Sequence, residues 1–156
     1  MIKIYENDAY IKEFVTKIAE IKEIEKLIEL KETAFYAKGG GQPGDIGVLI
    51  NNNQEINVIN TIKIENKIYH EVESIENISL EEKIEGKINW KIRYKHMRMH
   101  SALHLMCSII PMGVTGGQIG FEKSRLDFND PDKKINKEEV EEKWDGKELP
   151  PEEVFK

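Results

Sequence analysis

Residues 13–21, EFVTKIAEI, alternate apolar and polar side chains. So do KLIELKETAF (26–35), IGVLI (46–50), INVINTIKI (56–64) and KIYHEVES (67–74). A period of two turns successive side chains to opposite faces, so each run reads as a half-buried strand. NNNQ (51–54) and ENK (65–67) supply hairpin-turn chemistry between them. KIEGKINW (83–90) reads as a closing strand. Residues 11–30 also fit a helical period through Ile11, Phe14, Val15, Ile18, Ile21 and Ile24. β-Branched residues dominate that stretch, which favours strands. Short strands joined by turns predict a small antiparallel barrel or sandwich over residues 1–90.

The period changes past Trp90. No Gly or Pro interrupts the chain from Tyr94 to Ile110, and Met99, Ala102, Leu103, Met106 and Ile110 form an apolar stripe at helical spacing. Pro111 ends that helix. GVTGGQIG (113–120) reads as a glycine-rich loop or hairpin, RLDF (125–128) as a strand and NDPDKK (129–134) as a turn. Asn136 is placed to N-cap a helix over KEEVEEKW (137–144), whose first-turn acids suit the helix dipole. The tail DGKELPPEEVFK is polar and carries Pro150 and Pro151. The expected fold class is α+β, with an antiparallel β-barrel over 1–90 and an α/β region over 91–156.

Composition narrows the function classes. The formal net charge is −6 over 156 residues, which gives no support to a chain-wide, non-specific nucleic-acid binder. The exception is local: residues 91–104 hold Lys91, Arg93, Lys95 and Arg98 and no acid. The single cysteine, Cys107, cannot form an internal disulfide. The N-terminus has early acids and no long apolar run, so it is not a secretory signal. No stretch approaches the roughly 18 apolar residues that span a bilayer, and a cytoplasmic location is expected.

The chemistry concentrates in three stretches. His100 and His104 stand four apart in RMHSALHLMC (98–107), on one helical face, a spacing with which imidazoles can grip zinc. Ser101 occupies the position that Glu holds in HExxH, so the protease motif is absent. His96, flanked by Lys95 and Arg98, is expected on the surface, and Cys107 is expected to fill apolar space. TAFYAKGGGQPGDIG (33–47) carries three consecutive glycines, suited to positive φ or to close approach of a ligand; its plain alternative is a long hairpin turn. It lacks the Lys-Ser/Thr of a phosphate loop. In VTGGQIGFEKSRLDF (114–128), Gln118 offers an amide to a water or carbonyl, and Lys123 and Arg125 offer cations to phosphate.

In this order, the three motifs TAFYAKGGGQPGDIG, HSALH and VTGGQI…RLDF resemble the editing module of alanyl-tRNA synthetase and the free-standing AlaX family of alanyl-tRNA editing proteins. The resemblance spans roughly residues 1–130. It implies a translation-factor-like barrel followed by an α/β editing domain, and hydrolysis of serine or glycine wrongly esterified to tRNA(Ala). It implies zinc on His100 and His104, completed in the family by a Cys and a His of a later CxxxH motif. It implies substrate-facing roles for Thr33, Gly39, Gly40, Gly41 and Gln42, and a pocket role for Gln118. Lys91, Arg93, Lys95, Arg98 and Arg125 would touch tRNA phosphates. No histidine follows His104 and no cysteine follows Cys107, so the editing domain is expected to be incomplete. Water, Cys107, His96 or a partner chain would fill the remaining zinc positions. The competing expectation is a non-catalytic tRNA-binding or interaction remnant.

Overall fold

The computed structural model describes residues 1–139. Most of the helix expected over 137–144, and the tail after it, lie outside them. In chain order the elements are β1 (Ile2–Lys3), α1 (Ile4–Asn7), β2 (Glu13–Lys22), β3 (Leu27–Leu30), β4 (Glu32–Thr33), β5 (Gly47–Asn51), β6 (Gln54–Ile64), β7 (Lys67–Val72), β8 (Lys83–Ile88), α2 (Trp90–Ile109), β9 (Val114–Gln118) and β10 (Arg125–Phe128). The chain forms two compact units, Met1–Arg93 and Tyr94–Lys156. No helix among the described residues is long and apolar enough to cross a membrane.

The first unit is a closed barrel in the order β2-β3-β7-β6-β5-β8, with every barrel pairing antiparallel. The alternating patterns thus form strands, including residues 13–22, where a helix also fitted the spacing. Both two-residue turns are left-handed at each central position: Asn52 and Asn53 at φ 44° and 67°, Glu65 and Asn66 at φ 47° and 69°. That is type I′ geometry, whose twist matches that of the flanking strands, and asparagine tolerates it best after glycine. Two expected strands are shorter than their patterns. KLIELKETAF breaks at Lys31: β3 stays in the barrel, and β4 pairs in parallel with β1. KIEGKINW ends at Ile88, because the Asn89 side chain accepts from the Ile92 amide at 3.3 Å and its carbonyl accepts from the Arg93 amide. Asn89 therefore caps α2, which starts at Trp90 rather than Tyr94.

Inward-facing Ile18, Ile28, Leu30, Phe35, Leu49, Val72 and Ile84 fill the barrel, each at most 1% exposed. Each such side chain contributes about 1.5–3 kcal/mol by leaving water. Gly86 leaves room for Phe14, whose ring would lie 2.5 Å from a Cβ there. Phe14 meets Phe35 edge-on at 5.8 Å.

One polar group is sealed inside. His70 is 0% exposed; its Nδ1 lies 2.8 Å from the Ile28 carbonyl and its Nε2 lies 2.7 Å from Thr33 Oγ1. A carbonyl only accepts, so Nδ1 carries the proton and Nε2 accepts from the Thr33 hydroxyl. That hydroxyl in turn accepts from the Phe35 amide at 3.1 Å. Burial holds the imidazole neutral and pushes its pKa down to about 4, against a smaller upward pull from Ile28.

The segment between β4 and β5 is fastened at several points. Tyr36 and Asp45 exchange backbone and side-chain bonds: the Tyr36 amide donates to Asp45 Oδ2 at 2.8 Å, and the Asp45 amide donates to the Tyr36 carbonyl at 2.9 Å. Gly39 and Gln42 exchange amide–carbonyl bonds of 3.1 and 3.0 Å around Gly40 and Gly41, both at positive φ. A Cβ on Gly44 would come 2.1 Å from the Thr61 carbonyl oxygen, so only glycine lets the chain pass there. Arg93 closes the arrangement. Its guanidinium pairs with Asp45 and donates to the Ala34 carbonyl at 3.3 Å and the Ala9 carbonyl at 3.5 Å.

In the second unit, α2 runs on to Ile109, and β9 and β10 form an antiparallel hairpin that pairs Gln118 with Arg125. The Asn136 side chain accepts from the Glu138 and Glu139 amides at 2.9 and 3.3 Å, the cap read from the sequence. The stripe Met99, Ala102, Leu103 and Met106 is half-buried, and the fully buried residues at the end of the helix are Ile109 and Ile110.

Two consequences are measurable. His70 favours the neutral form in the fold, so its contribution is complete above the ordinary histidine pKa and is lost as pH falls toward 4. Between pH 7 and pH 5, urea unfolding should show wild type losing on the order of 2 kcal/mol more than His70→Gln, which cannot titrate; equal losses would contradict the assignment. Arg93→Ala strands the buried Asp45 carboxylate and should cost about 3–5 kcal/mol of unfolding free energy. An exposed phosphate-contacting arginine would cost within about 0.5 kcal/mol.

Candidate functional site

At about 100° per residue, α2 sorts its polar residues onto opposite faces. Arg93, Met97, His100 and His104 share one, and Lys91, Lys95 and Arg98 share the other. The lysines and Arg98 are exposed, whereas Arg93 is 3% exposed. Of the basic residues expected to meet phosphate, Arg93 is therefore withdrawn, its charge held by Asp45. Lys95 also reaches across the Phe121 ring, 4.0 Å from its centroid. Arg125 is exposed and pairs with Asp127 at 3.1 Å.

The His100 and His104 rings lie stacked, 4.8 Å between centroids and 19° between planes. His100 is half-buried and His104 exposed. Desolvation, then the neighbouring His104 charge, lowers the His100 pKa, which favours the neutral imidazole a metal requires. Among the described residues no group of three His, Cys, Asp or Glu is placed to hold a metal. The pair fits as two of the four ligands of a zinc centre, and neither His96 nor Cys107 completes it. His96, expected on the surface, is 6% exposed. Its charged sequence neighbours project about 100° and 200° away around the helix, so they say nothing about its own face. Cys107 is half-buried.

The residues expected to face a substrate divide. Gly40 and Gly41 form an exposed tip. Gln42 is 3% exposed and is built into the turn. Thr33 does not present its hydroxyl outward: it is 0% exposed, and its oxygen is committed to His70 and Phe35. The alternation that made β4 a strand is the reason, because it turns Thr33 inward. Gln118 is exposed on β9.

Asp45 was not singled out by the sequence. It is 2% exposed, and burial pushes its pKa up to about 6 although Arg93 and the Tyr36 amide both pull it down. Its Oδ1 and Arg93 Nε are buried without a hydrogen-bond partner among the described residues, so the pairing offsets only part of the desolvation. The signal that marks the pair is the helical phase of Arg93, which runs with Met97 and His100 and not with the lysines.

The model of the family described as tRNA synthetases class II (A) matches residues 3–92. The chain is 36% identical over 136 residues to the alanyl-tRNA editing protein AlaX-M of Methanosarcina barkeri, covering 81% of this chain and 55% of that protein. It is 35% identical over 133 residues to AlaX-M of Saccharolobus solfataricus, covering 81% and 56%. It is 34% identical over 145 residues to the alanine–tRNA ligase of Pyrococcus furiosus, covering 89% of this chain and 16% of the ligase. The chain thus spans about half the length of the AlaX-M relatives it matches. With a matching barrel and relatives of this kind over most of its length, the chain belongs to the family of class II tRNA synthetases (A), as a member similar to the alanyl-tRNA editing proteins.

Proposed function

We propose that this chain takes part in alanyl-tRNA editing, by hydrolysing the ester of serine or glycine wrongly attached to tRNA(Ala). The observation that carries the reading is the stacked His100–His104 pair on a helix that lies within the stretch similar to AlaX-M. Zinc bound to the two imidazoles would polarise the ester carbonyl and acidify a bound water. The remaining ligands would come from outside the described residues. Burial and the neighbouring His104 lower the His100 pKa, which favours the neutral form whose lone pair a metal takes. Gln118 offers its amide on the exposed face of the hairpin, and Gly40 and Gly41 offer a tip without side chains to the aminoacyl end. Lys91, Lys95 and Arg98, exposed on one face of α2, position the tRNA through phosphates without reading sequence.

The lack of a third ligand among the described residues favours a second reading, a tRNA-binding module without hydrolysis. Release of serine from mischarged tRNA(Ala), with zinc supplied, separates the two. Editing predicts release that falls at least about 100-fold in His100→Ala, the scale on which catalytic groups act. Release no greater than in that variant, together with salt-sensitive tRNA binding, leaves the binding module.

A further inference from the structure

The glycine-rich segment is carried on two legs that meet the barrel at Thr61, a fully buried residue of β6. The Lys38 amide donates to the Thr61 carbonyl at 2.9 Å, and the Thr61 hydroxyl donates to the Asp45 carbonyl at 2.8 Å. Past these anchors the legs join in the turn Gly39–Gln42, whose central residues Gly40 and Gly41 stand at φ 58° and 79°. That is the hand of the Asn52–Asn53 turn between β5 and β6. Two glycines lose more backbone freedom on ordering than two asparagines do, so this turn gains more from a support outside it.

Tyr36 supplies such a support. Its hydroxyl donates to the Gly39 carbonyl at 3.0 Å, the same carbonyl that accepts from the Gln42 amide to close the turn. The phenol is itself held on every side. Its backbone amide and carbonyl are bonded to Asp45. Its ring meets Tyr5 of α1 at 5.3 Å between centroids and 59° between planes, and the Arg93 guanidinium lies 5.7 Å from its centroid. Burial pushes the phenol above its ordinary pKa against the pull of Arg93, so the hydroxyl keeps its proton and donates near neutral pH.

We infer that Tyr36 is a positioning residue: through the Gly39 carbonyl, its hydroxyl sets where Gly40 and Gly41 present their backbone. Ring and hydroxyl have separate roles. The ring packs the segment against α1 and Arg93, and the hydroxyl acts on the tip. The inference rests on the editing reading for what meets the tip, and on the geometry of the first unit alone for what holds it.

The test is Tyr36→Phe, which keeps the ring and removes the hydroxyl. Amide hydrogen exchange of the whole chain, followed by NMR, reads the tip directly. Losing one hydrogen bond of ordinary net strength should speed exchange of the Gly39 and Gln42 amides about fivefold. The turn paired at Asn51 and Gln54 is the internal control and should keep its wild-type rates. In serine release from mischarged tRNA(Ala), the variant should raise KM about fivefold at unchanged kcat, the pattern of lost uniform binding. Faster tip exchange in a chain that releases no serine would count against the editing reading alone, and would leave Tyr36 as the support of the tip. Wild-type exchange at Gly39 and Gln42, equal acceleration at Asn51 and Gln54, or a fall in kcat at unchanged KM would each overturn the inference.

Discussion

The buried contact between Arg93 and Asp45 ties together parts of the first unit that lie far apart in sequence. One guanidinium reaches the end of the glycine-rich segment through Asp45, its beginning through the Ala34 carbonyl, and the N-terminal stretch through the Ala9 carbonyl. The segment between Ala34 and Asp45 has few large apolar side chains and cannot hold its shape by packing. It holds it through backbone bonds closed over Gly40 and Gly41, through Gly44 passing against Thr61, and through this ion pair. The cost shows in Asp45, whose carboxyl is pushed up to about 6 by burial even with a cation beside it. Such a pair adds little net stability over an apolar substitute, but it is costly to break from one side. Its effect is to fix where the loop and the first turn of α2 stand.

Much of the barrel was legible because its signals are local. Alternation marked β2, β5, β6 and β7, and asparagines marked the type I′ turns. What escaped was the end of each run. The stop at Ile88 is set by the local Asn89 cap, an N-cap residue overlooked inside an alternating run. The break at Lys31 is set by a tertiary partner, β1, and no window of residues carries that information. His70 was invisible for the same reason: in KIYHEVES it occupies an inward position of the alternating pattern, and only the folded barrel shows that Thr33 and Ile28 satisfy it.

The candidate site was legible in its residue types more than in their orientation. His100 and His104 lie together on α2 as their spacing implies. Arg93 was grouped with the lysines by proximity in sequence, yet helical phase places it on the histidine face and burial removes it from solvent. Thr33 and Gln42 belong to a motif that resembles a substrate-facing one, but their side chains are buried in the first unit. The exposed residues of that motif are Lys38, Gly40 and Gly41.

The proposed hydrolysis requires the imidazole pair of α2 to be half of a metal site. Zinc content of the purified chain after equilibration with metal and gel filtration, compared with that of His104→Ala, addresses it directly. One zinc per chain in wild type and none in the variant is the predicted result. Equal zinc in both proteins, or none in either, would contradict it.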